Sequence, residues 1–175
     1  MANQRALCQA LQVRVEEQIE RTLHLIERIE PEWIDQAPEL PPESYPAPRK
    51  IGDLLGHLLE CLNGLCGTFY NVRPKQLQRF EALRGLPVND CCSTDEARSR
   101  IEASLEAIRA GFDAIDDADL ATILPAPFVA DGEPLLARLL INLEHFANHK
   151  HELFVFLKLL GARLETRDLY RFQGE

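Results

Sequence analysis

The pattern of apolar residues along the chain indicates four helices. Apolar side chains recur at three- and four-residue spacing in four long stretches, and Pro, Gly and Asp residues fall between these stretches. The predicted helices run from about Asn3 to Ile29, from Pro48 to about Tyr70, from Ser93 to about Ile115, and from Pro134 to Gly161. No stretch shows the alternation that is typical of a strand. The sequence therefore predicts an all-α protein, folded as a four-helix bundle.

Two long connections separate these helices. The segment from Pro31 to Pro48 holds six prolines, so neither a helix nor a central strand fits it, and it also carries Trp33 and Tyr45. The segment from Asp116 to Glu133 forms a similar crossover, which indicates a bundle that is not joined by short turns alone. The final stretch from Glu165 is compatible with a terminal turn or with a partner contact. We expect residues 1–175 to form a single domain, because this length is typical of one.

Composition and charge limit the cellular locations and the binding partners that are compatible with the sequence. The apolar runs are too short to cross a membrane, and the N-terminal stretch lacks the apolar core of a signal peptide. The five cysteines form no CxxC pair and no evident disulfide framework, which favours a reducing, cytoplasmic location. The net charge of −9 argues against nucleic acid, which is bound largely through Lys and Arg.

The last predicted helix carries two histidines one turn apart. His145 and His149 lie on the same helical face, close enough to hold one ion between their imidazoles. At 100° per residue, the polar neighbours within roughly 60° of His145 on this helical wheel are Arg138, Asn142, Asn148 and Glu152. A buried polar stripe of this kind needs metal or hydrogen-bond partners. A metal site and ordinary core or surface histidines are both compatible with the pattern.

A third histidine, His57, lies on a polar or small-residue face of the second predicted helix, which also carries Cys61. Three neutral imidazoles from two helices would leave positions for water or substrate, as in catalytic zinc sites. Two other metal motifs are disfavoured by single positions. Phe146 stands where a zincin needs Glu, and Asn142 stands where a di-iron bundle needs the Glu of Glu-x-x-His.

Two segments carry a resemblance to a known family. The helix IGDLLGHLLECLNG after a Pro-rich crossover, and the last helix HFANHKHELFVFLKLLG, resemble the DinB/YfiT-like superfamily of four-helix metalloproteins over most of the chain. The resemblance implies that His57, His145 and His149 bind a divalent nickel or zinc ion. It also implies a homodimer, and activities that include thiol-dependent transfer or isomerisation. Many members have a small residue and Gln where this chain has His151 and Glu152.

Three further side chains are candidates near such a site. Glu152 is the candidate catalytic residue. Three roles are open for it: an acceptor for a ligand histidine, a general base, or a partner of Arg138 or Lys150. Asn142 is a second candidate for supporting the ligands. Cys61 is a possible fourth ligand or reactive thiol, although a buried packing role is more common for a free cysteine.

The sequence leaves two functional hypotheses. In the first, the metal site activates water or a low-molecular-weight thiol for hydrolysis or transfer on a small-molecule substrate. In the second, the protein is a non-catalytic, dimeric binding or scaffold protein, because the last helix is apolar over more than half of its circumference.

Overall fold

A computed structural model describes residues 5–39, 41, 48–78, 80–126 and 129–171. It contains the helices α1 (Ala6–Ile26), α2 (Ile51–Val72), α3 (Phe80–Arg84), α4 (Thr94–Asp113) and α5 (Leu135–Leu159), and a hairpin of β1 (Ile123–Ala126) and β2 (Val129–Pro134). The four long helices confirm the predicted all-α bundle. No helix in this described part is long and apolar enough to cross a lipid bilayer.

The long helices are arranged with α1 and α2 on one diagonal of the bundle. Both α1 and α2 make their main contacts with α4 and α5. The apolar stripes meet in a shared core, whose largest fully buried side chains include Phe69, Phe112 and Phe146. The rings of Phe69 and Phe112 meet edge to face, with centroids 4.8 Å apart. Because α1 and α2 are consecutive but diagonal, the chain needs the long crossover between them.

Local signals and tertiary contacts together set the helix ends. The Ser93 hydroxyl accepts a hydrogen bond from a first-turn N–H of α4 at 3.2 Å. α5 ends just before Gly161, whose φ of +105° lies in the region that favours glycine. The Asp117 carboxylate accepts from two first-turn N–H groups of α1, at 3.1 and 2.9 Å. α1 ends at Ile26, about one turn earlier than expected, and Asn3, its predicted start, lies outside the described residues.

The hairpin shows that the prediction of no strand was wrong. β1 and β2 pair antiparallel within the predicted crossover Asp116–Glu133 and extend one residue beyond it, and Leu124 of β1 is buried on the core. The N–H of Leu135 donates to the Thr122 carbonyl at 2.8 Å, which joins the hairpin to the start of α5. Strands of four and six residues give too short a pattern to detect, and the five-residue α3 was missed for the same reason.

The first described part of the Pro-rich crossover packs onto the bundle. Trp33 is half-buried and packs against the core. The first two N–H groups of α2 donate to the carbonyls of Gln36 and Ile34, each at 2.9 Å. Tyr45 lies outside the described residues. The start of this connection therefore supplies acceptors for the first turn of α2.

The segment after α5 folds back onto α1. Asp168 Oδ1 lies 2.7 Å from His24 Nε2. The buried ammonium of Lys150 donates to the Leu169 carbonyl at 3.0 Å and to Gln18 Oε1 at 2.7 Å. The first residues of this final stretch therefore form a terminal turn against their own chain, which the sequence alone left undecided.

Candidate metal centre

Four side chains from α2 and α5 meet between the two helices. His57 and Cys61 lie one turn apart on α2, and His145 and His149 lie one turn apart on α5. One ligand atom from each of the four lies within 4.8 Å of the others. Since α2 packs directly against α5, the two polar faces that the sequence indicated are brought together. We call these four residues the histidine cluster.

His57 is held from outside the cluster. Its Nδ1 lies 2.7 Å from Asn89 Oδ1 and 3.0 Å from Glu60 Oε2. Both neighbours offer acceptor oxygens, so Nδ1 carries the proton and donates it to Asn89 Oδ1. In the neutral ring the lone pair is therefore on Nε2, the atom that points toward His149.

His149 is held in the same way by Glu152. Its Nδ1 donates to Glu152 Oε2 at 2.7 Å, and Arg49 Nη1 lies 4.0 Å from the same oxygen. Burial lowers the pKa of His149, and the neighbouring His57 and His145 lower it further, against the opposing effect of Glu152. The ring is therefore neutral near pH 7, the form in which imidazole binds metals. Of the three roles considered for Glu152, this contact is the one expected of an acceptor for a ligand histidine.

The approach of two ring nitrogens fits a bound cation. His57 Nε2 and His149 Nε2 lie 3.0 Å apart. With a proton on each Nδ1 and both rings neutral, two lone pairs face each other, and this distance becomes favourable when a metal ion or an additional proton lies between them. Two nitrogen ligands of a tetrahedral zinc ion, each about 2.05 Å from the metal, are about 3.3 Å apart. Imidazole nitrogens beside a thiol suit nickel or zinc better than magnesium or calcium. The donor set therefore fits a divalent transition-metal ion.

Cys61 reaches the same cluster from a buried position. Its Sγ lies 3.7 Å from His145 Nδ1. Burial raises the pKa of the Cys61 thiol to about 12, so the sulfur keeps its proton at neutral pH unless a metal displaces it. Cys61 thus has both expected features: it is buried in the helix packing, and its sulfur contacts His145.

The loop before α4 reaches His57 because two glycines on α2 leave room for the loop backbone to pack closely against the helix. The Asn89 N–H donates to the Gly56 carbonyl at 3.1 Å, and another N–H of this loop donates to the Gly52 carbonyl at 3.2 Å. A Cβ on Gly56 would lie 1.9 Å from the Asp90 carbonyl oxygen. Asn89 has a φ of 63°, which asparagine adopts more readily than most residues. Sequence reasoning missed Asn89, and the signal available was the pair of glycines one turn apart.

Other side chains proposed around the site lie apart from the cluster. Asn142 donates to Thr68 Oγ1 at 3.1 Å and to the Arg138 carbonyl at 2.9 Å, which uses both of its amide hydrogens. Asn142 therefore links α5 to α2 and has no amide hydrogen left for a histidine. Arg138 and Lys150, considered as partners of Glu152, contact other residues instead.

Comparison with known proteins identifies a family for this chain. The sequence model of the DinB superfamily matches residues 14–153, which include the whole histidine cluster and Glu152. No curated protein matches the chain in a sequence search. The matched residues span most of the chain and reach into all four long helices. On this evidence, the chain belongs to the DinB superfamily.

Proposed function

We propose that this protein is a metal-dependent enzyme, a single domain over residues 1–175, in which His57, His145 and His149 hold one nickel or zinc ion. The observation that carries the proposal is the 3.0 Å approach of two Nε2 atoms whose partner Nδ1 atoms are each held by an oxygen acceptor. Membership of the DinB superfamily supports it. Such an ion lowers the pKa of a coordinated water or stabilises a thiolate.

Glu152 has two tasks in this proposal. By accepting from His149 Nδ1 it fixes the tautomer and the orientation of that ring. Its side chain is 29% exposed, so the carboxylate is also accessible as a general base for an incoming water or thiol. Arg49 Nη1 lies 4.0 Å from Glu152 Oε2, so a positive charge lies beside the carboxylate.

The nucleophile in this proposal comes from outside the chain. Cys61 is only 2% exposed, so an incoming electrophile cannot reach its sulfur. His145 is exposed, whereas His57 and His149 are half-buried, so a small molecule can approach the cluster from the His145 side. We propose that water or a low-molecular-weight thiol attacks a small electrophile there, giving hydrolysis or transfer. A cytoplasmic location would supply such a thiol.

Metal content tests the proposal directly. Tag-free protein, purified without a nickel column, is compared with the variants His145→Ala and His151→Ala by elemental analysis and circular dichroism. His151 is exposed on the same helix but lies outside the cluster, which makes it a matched control. We expect about one equivalent of nickel or zinc, retained in His151→Ala and lost in His145→Ala with helicity intact. Equal metal content in all three proteins would overturn the proposal.

A second candidate is the non-catalytic, dimeric binding or scaffold protein. It is favoured by the apolar side chains that α5 exposes, Leu140, Ile141, Val155 and Leu159, with exposed fractions of 46, 53, 40 and 55%. We propose that a second copy of this chain covers them in either case. Sedimentation velocity of the wild type and of Ile141→Asp tests the homodimer. A dimer that binds no metal, and whose stability a chelator leaves unchanged, would favour the scaffold over the enzyme.

A further inference from the structure

An arginine-lined cleft lies between the end of α1 and the segment that follows α5. Its cationic lining consists of Arg21, His24 and Arg28 on one side and Arg163 and Arg167 on the other, around a volume of about 710 Å³. It shares no residue with the histidine cluster. Arg163 and Arg167 also lie beyond the residues that the superfamily model matches. The cleft is therefore a feature of this chain that the metal proposal does not use.

The charges of the cleft do not cancel. Four guanidinium groups face two carboxylates, Glu165 and Asp168. Both carboxylates are already engaged, since Asp168 contacts His24 at 2.7 Å and Glu165 contacts Arg167 at 3.1 Å. Arg163 forms no ion pair within the described part of the chain. The cleft thus carries a net charge of about +2, with His24 taken as neutral, in a chain whose total is −9.

Arg21 adds an independent sign of a missing acceptor. Its Nε is buried and has no hydrogen-bond partner among the described residues. One of its terminal nitrogens makes only a long, 3.4 Å contact with the Arg167 carbonyl. A buried donor without an acceptor costs free energy, and donors of this kind are rare in folded proteins. Because Arg21 lines the cleft, a rotation of its side chain toward an anionic oxygen there would give this donor an acceptor.

We propose that the cleft binds the phosphate group of a small molecule. Guanidinium groups match phosphate oxygens in shape and charge, and a phosphate monoester carries about −1.5 to −2 at pH 7, close to the excess charge of the cleft. The partial negative charge of about one half at the C-terminus of α1 is smaller than this excess. The volume falls in the range of small-molecule sites, which leaves room for an organic group beside the phosphate. The strongly acidic chain disfavours polyanionic surfaces as the source of that phosphate.

This inference does not depend on the proposed metal chemistry, and its test separates the two. Calorimetric titration of the full chain with inorganic pyrophosphate is compared across Arg21→Gln, Arg163→Gln and the control Arg98→Gln. Arg98 is exposed on α4 and forms no ion pair within the described residues, so its variant makes the same charge change elsewhere. Arg163 is also exposed, so its variant remains informative even when Arg21→Gln fails to fold.

We expect saturable, one-to-one binding that weakens at least about tenfold in each folded cleft variant and stays unchanged in Arg98→Gln, since each lost guanidinium removes a charge-assisted contact. The variant His57→Ala should bind pyrophosphate as the wild type does, whether or not it holds metal. No saturable binding at millimolar pyrophosphate, equal weakening in Arg98→Gln, or loss in His57→Ala would overturn the inference. Cosedimentation with phosphatidic acid vesicles is the second arm, and cleft-dependent vesicle binding would contradict a small-molecule ligand.

Discussion

The close contact between Gly56 and the loop before α4 predicts the effect of Gly56→Ala on both stability and the metal site. In the interior of an exposed helix this substitution stabilises, by about 1 kcal/mol, because alanine has the higher helix propensity. At Gly56 the new Cβ would lie 1.9 Å from the backbone oxygen of Asp90, with the Asp90 carbonyl carbon and nitrogen at 2.9 and 3.0 Å. None of these atoms is the end of a flexible side chain, so the loop backbone itself must move.

The cost of that movement exceeds the gain in propensity. A normal van der Waals contact between heavy atoms is about 3.5 Å, so the loop must retreat by about 1.5 Å. That retreat breaks the 3.1 Å hydrogen bond from the Asn89 N–H to the Gly56 carbonyl, worth about 1 kcal/mol. Overpacking adds about 1–3 kcal/mol. After the propensity gain is subtracted, the free energy of unfolding falls by about 2 kcal/mol, which lowers Tm by about 4–8 °C.

Gly67→Ala is the matched control on the same helix. A Cβ on Gly67 would lie 3.9 Å from the Phe80 ring, an ordinary contact, so the propensity gain should raise Tm by about 2–4 °C. Thermal denaturation is followed by circular dichroism in the presence of a chelator, so that metal binding does not contribute to stability. Gly56→Ala should in addition weaken metal binding, because Asn89 no longer holds His57. A Tm that rises equally in both variants would refute the reasoning.

Three further predictions concern single side chains. Glu152→Gln removes the charged acceptor of His149 Nδ1, and metal affinity measured by chelator competition should fall about 10- to 100-fold, with unchanged affinity as the contrary result. Cys61→Ser keeps a donor of similar size in the cluster and should retain stoichiometric metal, whereas loss of the ion would identify the thiol as a ligand. Burial raises the pKa of Asp168, but hydrogen bonds from the Glu165 N–H and from His24 outweigh burial and lower this pKa. The ionised Asp168 therefore stabilises the fold above about pH 5, and this stabilisation is lost as the pH falls through the folded-state pKa. Asp168→Asn should therefore reduce the free energy of unfolding by about 1 kcal/mol at pH 7. Urea denaturation should show that the difference between variant and wild type becomes smaller below about pH 5. A difference that is constant with pH would contradict this role of the Asp168 carboxylate.

The sequence predicted those features that are local and repeated. The four long helices follow from apolar residues at three- and four-residue spacing, and each was located to within about one turn. The pairing of His145 with His149, and the position of His57 on a polar face, follow from the same period. Elements of only a few residues, such as α3 and the hairpin, carry too short a pattern and were not found.

Contacts between distant parts of the chain could not be predicted from the periodicity of apolar residues. Asn89 supports His57 from 32 residues away, and its loop can approach α2 because Gly56 has no side chain. Arg49 faces Glu152 only because the start of α2 packs beside α5. Asn142 shares the helical face of His145, yet its amide is used on Thr68. Periodicity identifies the face of a helix, but the neighbouring helix decides which partner each side chain meets.

By itself, the sequence determined the all-α class and the polar helical faces that carry His57, His145 and His149, because each face depends on the rotation and rise of one helix. Only the tertiary structure decided that two Nε2 atoms lie 3.0 Å apart, that Cys61 joins them, and that α1 and the final segment enclose an arginine-lined cleft. Those features depend on the packing of apolar side chains from segments far apart in the chain, and that packing is decided by the fit of whole surfaces rather than by any one segment.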